Sequence, residues 1–203
     1  MKDWIGNKSS TYKQMGARNN AITDRETNDF YATDPQALEL LLDKLEKDGI
    51  KLHKTIWECA CGAGHLSRVL ENRDYKVISS DLINRGYGEC GVDFLKIDSS
   101  NIDTDILTNP PYKFAQEFVN KALEILSPDH YCIMILKIQF LEGKTRKKLF
   151  EKYPPKYVYV HSTRQLCVIN GEFEKYKGKS PALCYAWFIW KKGYEGETIV
   201  RWI

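Results

Sequence analysis

Asp105-Ile106-Leu107-Thr108-Asn109-Pro110-Pro111-Tyr112 joins a short apolar run to a turn locked by two prolines. The run Asp105 to Thr108 predicts a short buried strand that delivers Asn109 to its carboxyl end. Successive prolines remove two backbone donors and fix φ, and Pro110 pushes Asn109 into an extended conformation. The turn is therefore stiff before any ligand arrives. It holds two acceptors, the Asn109 side-chain oxygen and the Pro110 carbonyl, with the Tyr112 ring beside them. That set of groups suits an amino group on a flat ring. Asn and Pro are also ordinary turn formers, so the surrounding sequence has to choose between a site and a plain turn.

Upstream, Thr55 to Cys61 reads as a buried strand, followed at once by Gly62-Ala63-Gly64 and the helical spacing Leu66, Val69, Leu70. Glycines in a strand–turn–helix unit let the backbone approach a ligand closely. A tight turn without a ligand gives the same pattern. Glu58 before the turn and Asp81 after the next strand, Lys76 to Ser80, favour a ligand, because acids at those places can bind ribose hydroxyls. Asp81 reads equally well as a helix cap. Ser67 stands where the third glycine of G-x-G-x-x-G would fall, which argues against a dinucleotide.

The remaining chain supplies alternating strands and helices. Phe30 to Pro35 opens a helix with Asp34 as cap, Pro35 in the first turn and an apolar stripe Leu38, Leu41, Leu42, Leu45 that ends at Gly49. Val92 to Leu95 reads as a short third edge strand, in which Phe94 is core packing or a ligand contact with equal weight. Phe114, Phe118, Ala122, Leu123, Ile125 and Leu126 have helical spacing up to Pro128. Tyr131 to Leu141 predicts a long fifth strand, Lys156 to His161 a sixth, Gly171 to Ser180 a polar loop, and Ala182 to Trp190 a final aromatic strand. In open α/β sheets ligands bind beyond the carboxyl ends of the strands, where both the glycine turn and the Asn109 turn fall.

Asn-Pro-Pro-Tyr directly after a strand resembles the catalytic motif of the S-adenosylmethionine-dependent amino-methyltransferases, particularly the N6-adenine DNA methyltransferases. The resemblance covers roughly residues 30 to 191. It implies a Rossmann-like class I methyltransferase fold: a seven-stranded, mainly parallel sheet with an antiparallel last strand and helices on both faces. It implies S-adenosyl-L-methionine as cofactor, held by Tyr31 and Thr33 at the methionine end and by Glu58, Cys59, Ala60, Gly62 and Gly64 around the glycine turn. Asp81, Leu82, Asp93 and Phe94 would complete that site, with Asp93 accepting from the adenine amino group of the cofactor. The family's aromatic-x-Thr-Pro-like segment is interrupted here, since Asp34 separates Thr33 from Pro35. Asn109, Pro110, Pro111 and Tyr112 would be catalytic.

Such a site answers a chemical need. The exocyclic nitrogen of adenine has its lone pair delocalised into the ring, and two fixed acceptors on its N–H bonds localise that pair and stabilise the charge that develops. Transfer is then a direct displacement assisted by proximity, and no cysteine is needed as nucleophile. The absence of a Pro-Cys dipeptide argues against methylation at cytosine C5. A base inside a duplex must leave the stack to reach the turn, and Tyr112 offers a ring to receive it.

Composition sets the partner and the setting. The 203 residues suit one domain with a full core, with 43% hydrophobic content. Net charge is +3, yet residues 137 to 192 hold 13 Lys/Arg against 4 Asp/Glu. A concentrated basic region attracts a polyanion through counterion release. Lys144, Arg146 and Lys147 in one segment and Lys175, Lys177 and Lys179 in a second loop are the expected substrate-binding cations, with DNA as partner and RNA not excluded. The six cysteines, in apolar runs as at Cys132 and Cys184, read as buried free thiols. Cys59 and Cys61 lack partners at zinc-like spacing, so no metal is expected.

No apolar run approaches the roughly 20 residues of a membrane span, and Met1-Lys2-Asp3-Trp4 leads into polar sequence, so a cytoplasmic protein without membrane contact is expected. Residues 1–28 read as a flexible polar arm and 29–203 as a single methyltransferase domain without a separate target-recognition domain, acting as a monomer or weak dimer. The alternatives are a methyltransferase acting on RNA bases or on a protein glutamine, and a cofactor-binding subunit without activity.

Overall fold

The computed structural model describes residues 31–163, 165, 167–169 and 183–203. The expected arm 1–28 and the loop 171–180, with Lys175, Lys177 and Lys179, lie outside them.

The chain begins with strand β1 (Tyr31–Thr33) and helix α1 (Pro35–Lys47), then β2 (Thr55–Glu58), α2 (His65–Asn72), β3 (Lys76–Asp81) and the two-residue β4 (Glu89–Cys90). It continues through β5 (Asp105–Thr108), α3 (Ala115–Ile125), β6 (Tyr131–Lys137), α4 (Lys144–Lys152), β7 (Tyr157–Val160), β8 (Cys167–Ile169), β9 (Tyr185–Lys191) and β10 (Ile199–Trp202). Eight strands form the main sheet in the order β10-β7-β9-β6-β5-β2-β3-β4, while β1 and β8 make a separate antiparallel pair. From β6 to β4 all neighbours are parallel, and β9 runs antiparallel to both β6 and β7.

The α/β class holds, with corrections in the strands. The sheet has eight strands and not seven, and the antiparallel strand is followed by β10, which pairs parallel with β7 from Ile199↔Tyr157 to Trp202↔Val160. That strand escaped the sequence reading because Ile199, Val200 and Trp202 are exposed and carry no buried alternation. Val92 to Leu95 is not a strand. The Asp93 side chain accepts from Leu95 N at 3.2 Å and starts a 3₁₀ turn over Phe94–Lys96, so the ladder goes to Glu89–Cys90 instead. The fifth strand stops at Lys137, where Ile138–Leu141 tighten into a 3₁₀ turn. Tyr31–Thr33, expected to lead into the helix, is itself a strand paired with Cys167–Ile169.

Local chemistry accounts for the helices that frame the site. Asp34 caps α1, its carboxylate accepting from Gln36 N at 3.0 Å, with Pro35 in the first turn. Leu38, Leu41, Leu42 and Leu45 are all buried. Helices α1 and α2 cover one face of the sheet, and α3 with Leu149 of α4 covers the other. Strand β9 is buried on both faces: Trp187 and Ile189 join the α1 side, Phe188 and Trp190 the α3 side. Both indoles are paired, Trp187 Nε1 donating to Ala37 O and Trp190 Nε1 to Tyr153 O. No helix among the described residues is long and apolar enough to cross a membrane.

Candidate active site

At the carboxyl end of β2 the chain must turn sharply into α2. Gly62 and Gly64 take φ of +56° and +76°, a region that side chains reach at a cost of about 1–2 kcal/mol. A Cβ on Gly64 would lie 2.4 Å from the Tyr87 ring, so glycine is required there for space as well as for conformation. Asp81, at the end of β3, holds this turn. Its Oδ2 accepts from Gly62 N and its Oδ1 from Ile83 N, both at 2.8 Å. Asp81 therefore caps no helix but braces two turns, and each carboxylate oxygen retains a second lone pair.

Glu58 ends β2 fully enclosed, 2% exposed. Burial pushes its carboxyl up to about 8, the Ser67 hydroxyl bond opposes that shift, and the nearby negative charge of Asp81 adds to it. Ser67 Oγ donates to Glu58 Oε2 and lies 2.7 Å from Ser79 Oγ. Ser67, in the sequence only the residue where a third glycine is missing, is therefore the group that orients Glu58.

The second turn follows β5. Asn109 Nδ2 donates to the Tyr31 carbonyl at 2.7 Å, which fixes the amide orientation because a carbonyl can only accept. Asn109 Oδ1 is buried and has no hydrogen-bond partner among the described residues. An unpaired buried acceptor costs about 1–3 kcal/mol, a cost that a donor arriving from a ligand removes. Beyond the prolines, Phe114 N donates to Pro111 O at 2.8 Å and winds Tyr112–Phe114 into a 3₁₀ turn leading into α3. The Tyr112 ring lies 6.2 Å from Tyr31 and 6.0 Å from Tyr185, with Lys137 Nζ 5.1 Å from its centre. Burial, with Cys167 and Tyr185 beside it, pushes the Tyr112 phenol well above its ordinary range.

One cavity of about 430 Å³ spans both turns. Of the expected cofactor residues, Tyr31, Thr33, Glu58, Cys59, Ala60, Asp81, Leu82, Asp93 and Phe94 line it, as do Asn109, Pro110 and Pro111. Gly62, Gly64 and Tyr112 are not on its wall: the glycines shape the turn behind it, and Tyr112 packs beside it. Phe94 is a core residue, 2% exposed and edge-on to Trp57 at 5.4 Å, that also lines the cavity. Wall residues missed in the sequence include His65, Ile83, Arg85 and Lys113. Ile83 and Arg85 follow Asp81 closely enough that the strand-end acid could have pointed to them.

The thiols near the site are not poised as nucleophiles. Burial pushes Cys59 far above its ordinary range and Cys61 up to about 12. All six cysteines are free, but only Cys59, Cys61 and Cys132 are buried: Cys167 is half-buried and Cys90 and Cys184 are exposed, which corrects the expectation of mostly buried thiols. Cys184 lies just before β9 and escapes its core. Of the expected cations, Lys144 and Lys147 are exposed on α4, which follows the carboxyl end of β6 through the 3₁₀ turn. Arg146 is turned back, donating to Glu142 O with its guanidinium 5.3 Å from the Phe140 ring centre.

Neither a protein-family model nor a curated protein sequence matches the chain. Solved structures do. A candidate class I S-adenosylmethionine-dependent methyltransferase from Listeria monocytogenes is 13% identical with a TM-score of 0.58, over 97% of this chain and 72% of that one. A candidate RNA methyltransferase from Pyrococcus horikoshii is 17% identical with a TM-score of 0.57, over 92% and 99%. The methyltransferase subunit of a type I restriction-modification system from Streptococcus thermophilus is 14% identical with a TM-score of 0.56, over 85% and 47%. At such identities the likeness is one of architecture, and the chain has the Rossmann-like fold of the class I methyltransferases.

Proposed function

We propose that the chain is an S-adenosylmethionine-dependent methyltransferase that modifies the exocyclic N6 amino group of adenine in DNA. The observation that carries this reading is Asn109: its amide nitrogen is tied to Tyr31 O, and its oxygen, buried beside the cavity, has no donor among the described residues. An amino group supplies that donor. The Pro110 carbonyl, fixed by the same rigid turn, takes the second N–H, and the two acceptors draw the nitrogen lone pair out of the ring. The Tyr112 ring, packed between Tyr31 and Tyr185 beside the cavity, stiffens the turn that presents Asn109.

The cavity residues fit the cofactor. Asp81 and Glu58 offer acceptors for ribose hydroxyls, Asp93 an acceptor for an adenine amino group, Leu82 and Phe94 apolar surface for its ring, and Tyr31 and Thr33 the methionine end. When bound, S-adenosylmethionine supplies an electrophilic methyl group on a sulfonium. The chain's own part is to hold the acceptor nitrogen close, to keep water out and to accept its protons in hydrogen bonds. The basic region carrying Lys144 and Lys147 favours a polyanion, and the restriction-modification neighbour favours DNA among polyanions.

Transfer of labelled methyl groups to duplex DNA, single-stranded DNA, RNA and protein, followed by digestion, tests the reading. N6-methyladenine in DNA is the expected product. Label confined to RNA or to protein glutamine replaces the substrate, and cofactor binding without transfer to any of them makes the chain a non-catalytic subunit.

A further inference from the structure

A second cluster of chemically active side chains lies at the opposite end of the sheet's central strands from the cavity. Strands β6, β5 and β2 are parallel neighbours, and at their amino ends His130, Asp105 and His53 converge. Asp105 is 0% exposed. Its Oδ2 accepts from His53 N at 2.8 Å and its Oδ1 from Tyr131 N at 2.9 Å. Two imidazole nitrogens crowd the same Oδ1, His53 Nδ1 at 2.8 Å and His130 Nδ1 at 3.2 Å. The other nitrogen of His130, Nε2, lies 2.9 Å from Asp103 Oδ1.

The two imidazole rings stack with centres 3.8 Å apart, and both turn Nδ1 toward the same carboxylate oxygen. A divalent ion among these atoms would take both Nδ1 lone pairs and the carboxylate together, with Asp103 beside His130 Nε2.

We propose that His53, His130 and Asp105 form a binding site for Zn²⁺. Two imidazoles and one carboxylate are a zinc donor set with one position left for water. The three donor atoms lie within 4.8 Å of one another, and tetrahedral bonds of about 2.0–2.1 Å call for donors roughly 3.4 Å apart. The His53 side chain is 44% exposed, so it gives the ion a route in and can rotate to complete the geometry. Asp103 stands where a carboxylate orients a ligating histidine through its second nitrogen. The ion fastens three strands and takes no part in methyl transfer, since the length of β5 separates the site from Asn109 by about 13 Å.

Calorimetric titration of the metal-free full chain with Zn²⁺ tests the site, together with Co²⁺ as a spectroscopic probe and X-ray absorption of the zinc-loaded protein. The expected result is one equivalent bound, a raised melting temperature, Co²⁺ absorption of tetrahedral type, and a first shell of nitrogen and oxygen. His53→Ala, at a half-exposed position outside any strand, is expected to keep the circular dichroism of the parent and to bind Zn²⁺ at least tenfold more weakly. Absence of saturable binding, equal affinity in His53→Ala, or a sulfur-containing shell each overturns the proposal.

Discussion

The two ends of β5 differ in how their polar groups are satisfied. At the amino end, the carboxylate of Asp105 receives two backbone N–H groups and faces two imidazoles. At the carboxyl end, Asn109 has its nitrogen tied and its oxygen without a partner among the described residues. A buried polar group surrounded by partners stabilises the fold, whereas one held rigidly without a partner costs stability and awaits a ligand. Four residues of one strand thus separate a site that holds the sheet together from a site that is kept ready.

Substitution at each end breaks this contrast in opposite ways. Asp105→Ala leaves the N–H groups of His53 and Tyr131 without their acceptor, and the expected loss is about 3–5 kcal/mol of unfolding free energy, measured by urea denaturation. Asn109→Ala is expected to lower methyl transfer by roughly 10²–10³-fold or more, while stability changes by no more than about 1 kcal/mol. Calorimetry should find its cofactor affinity within a few-fold of the parent. If the two variants lost activity and stability in the same proportion, the contrast between the ends would be wrong.

Smaller effects sharpen the carboxyl end. Gly64→Ala must accommodate a Cβ against Tyr87 at φ +76°, and a tenfold weaker cofactor affinity, about 1.4 kcal/mol, is the expected outcome in a binding titration. Glu58 sets a pH dependence. Its folded carboxyl titrates near 8 against an ordinary value of 4.5, so between these values the folded state holds a proton that the unfolded state has released. Its contribution to stability is complete below about 4.5 and is lost as pH rises toward 8, with a slope of at most about 1.4 kcal/mol per pH unit. Thermal denaturation of the cofactor-free protein should therefore show a melting temperature that falls across this window, and Glu58→Gln should flatten it. Least of all, Lys144→Ala and Lys147→Ala are each expected to reduce the salt dependence of DNA binding by about one unit of slope without altering base preference.

Much of this architecture was legible locally. The apolar runs at Ile106 and Ile56, the stripe Leu38, Leu41, Leu42, Leu45 and the cap Asp34 each act within a few residues, and each forms the expected element. The failures share a cause. Phe94 sits in a 3₁₀ turn because the Asp93 side chain takes a backbone N–H that a strand would have used. Strand β10 forms because the outer edge of β7 offers a ladder, although its own residues carry no buried pattern.

The sequence by itself determined the turns: glycines at Gly62 and Gly64 permit positive φ, prolines at Pro110 and Pro111 forbid most alternatives, and these restrictions act on the residue that carries them. Only the tertiary structure decided what those turns face. The Tyr31 carbonyl that ties Asn109 is 78 residues away, the Ser67 hydroxyl that orients Glu58 comes from the next helix, and His53 meets Asp105 across 52 residues. Strand order brings these groups together, and strand order follows from how whole faces of the sheet are buried, which no short stretch of residues specifies.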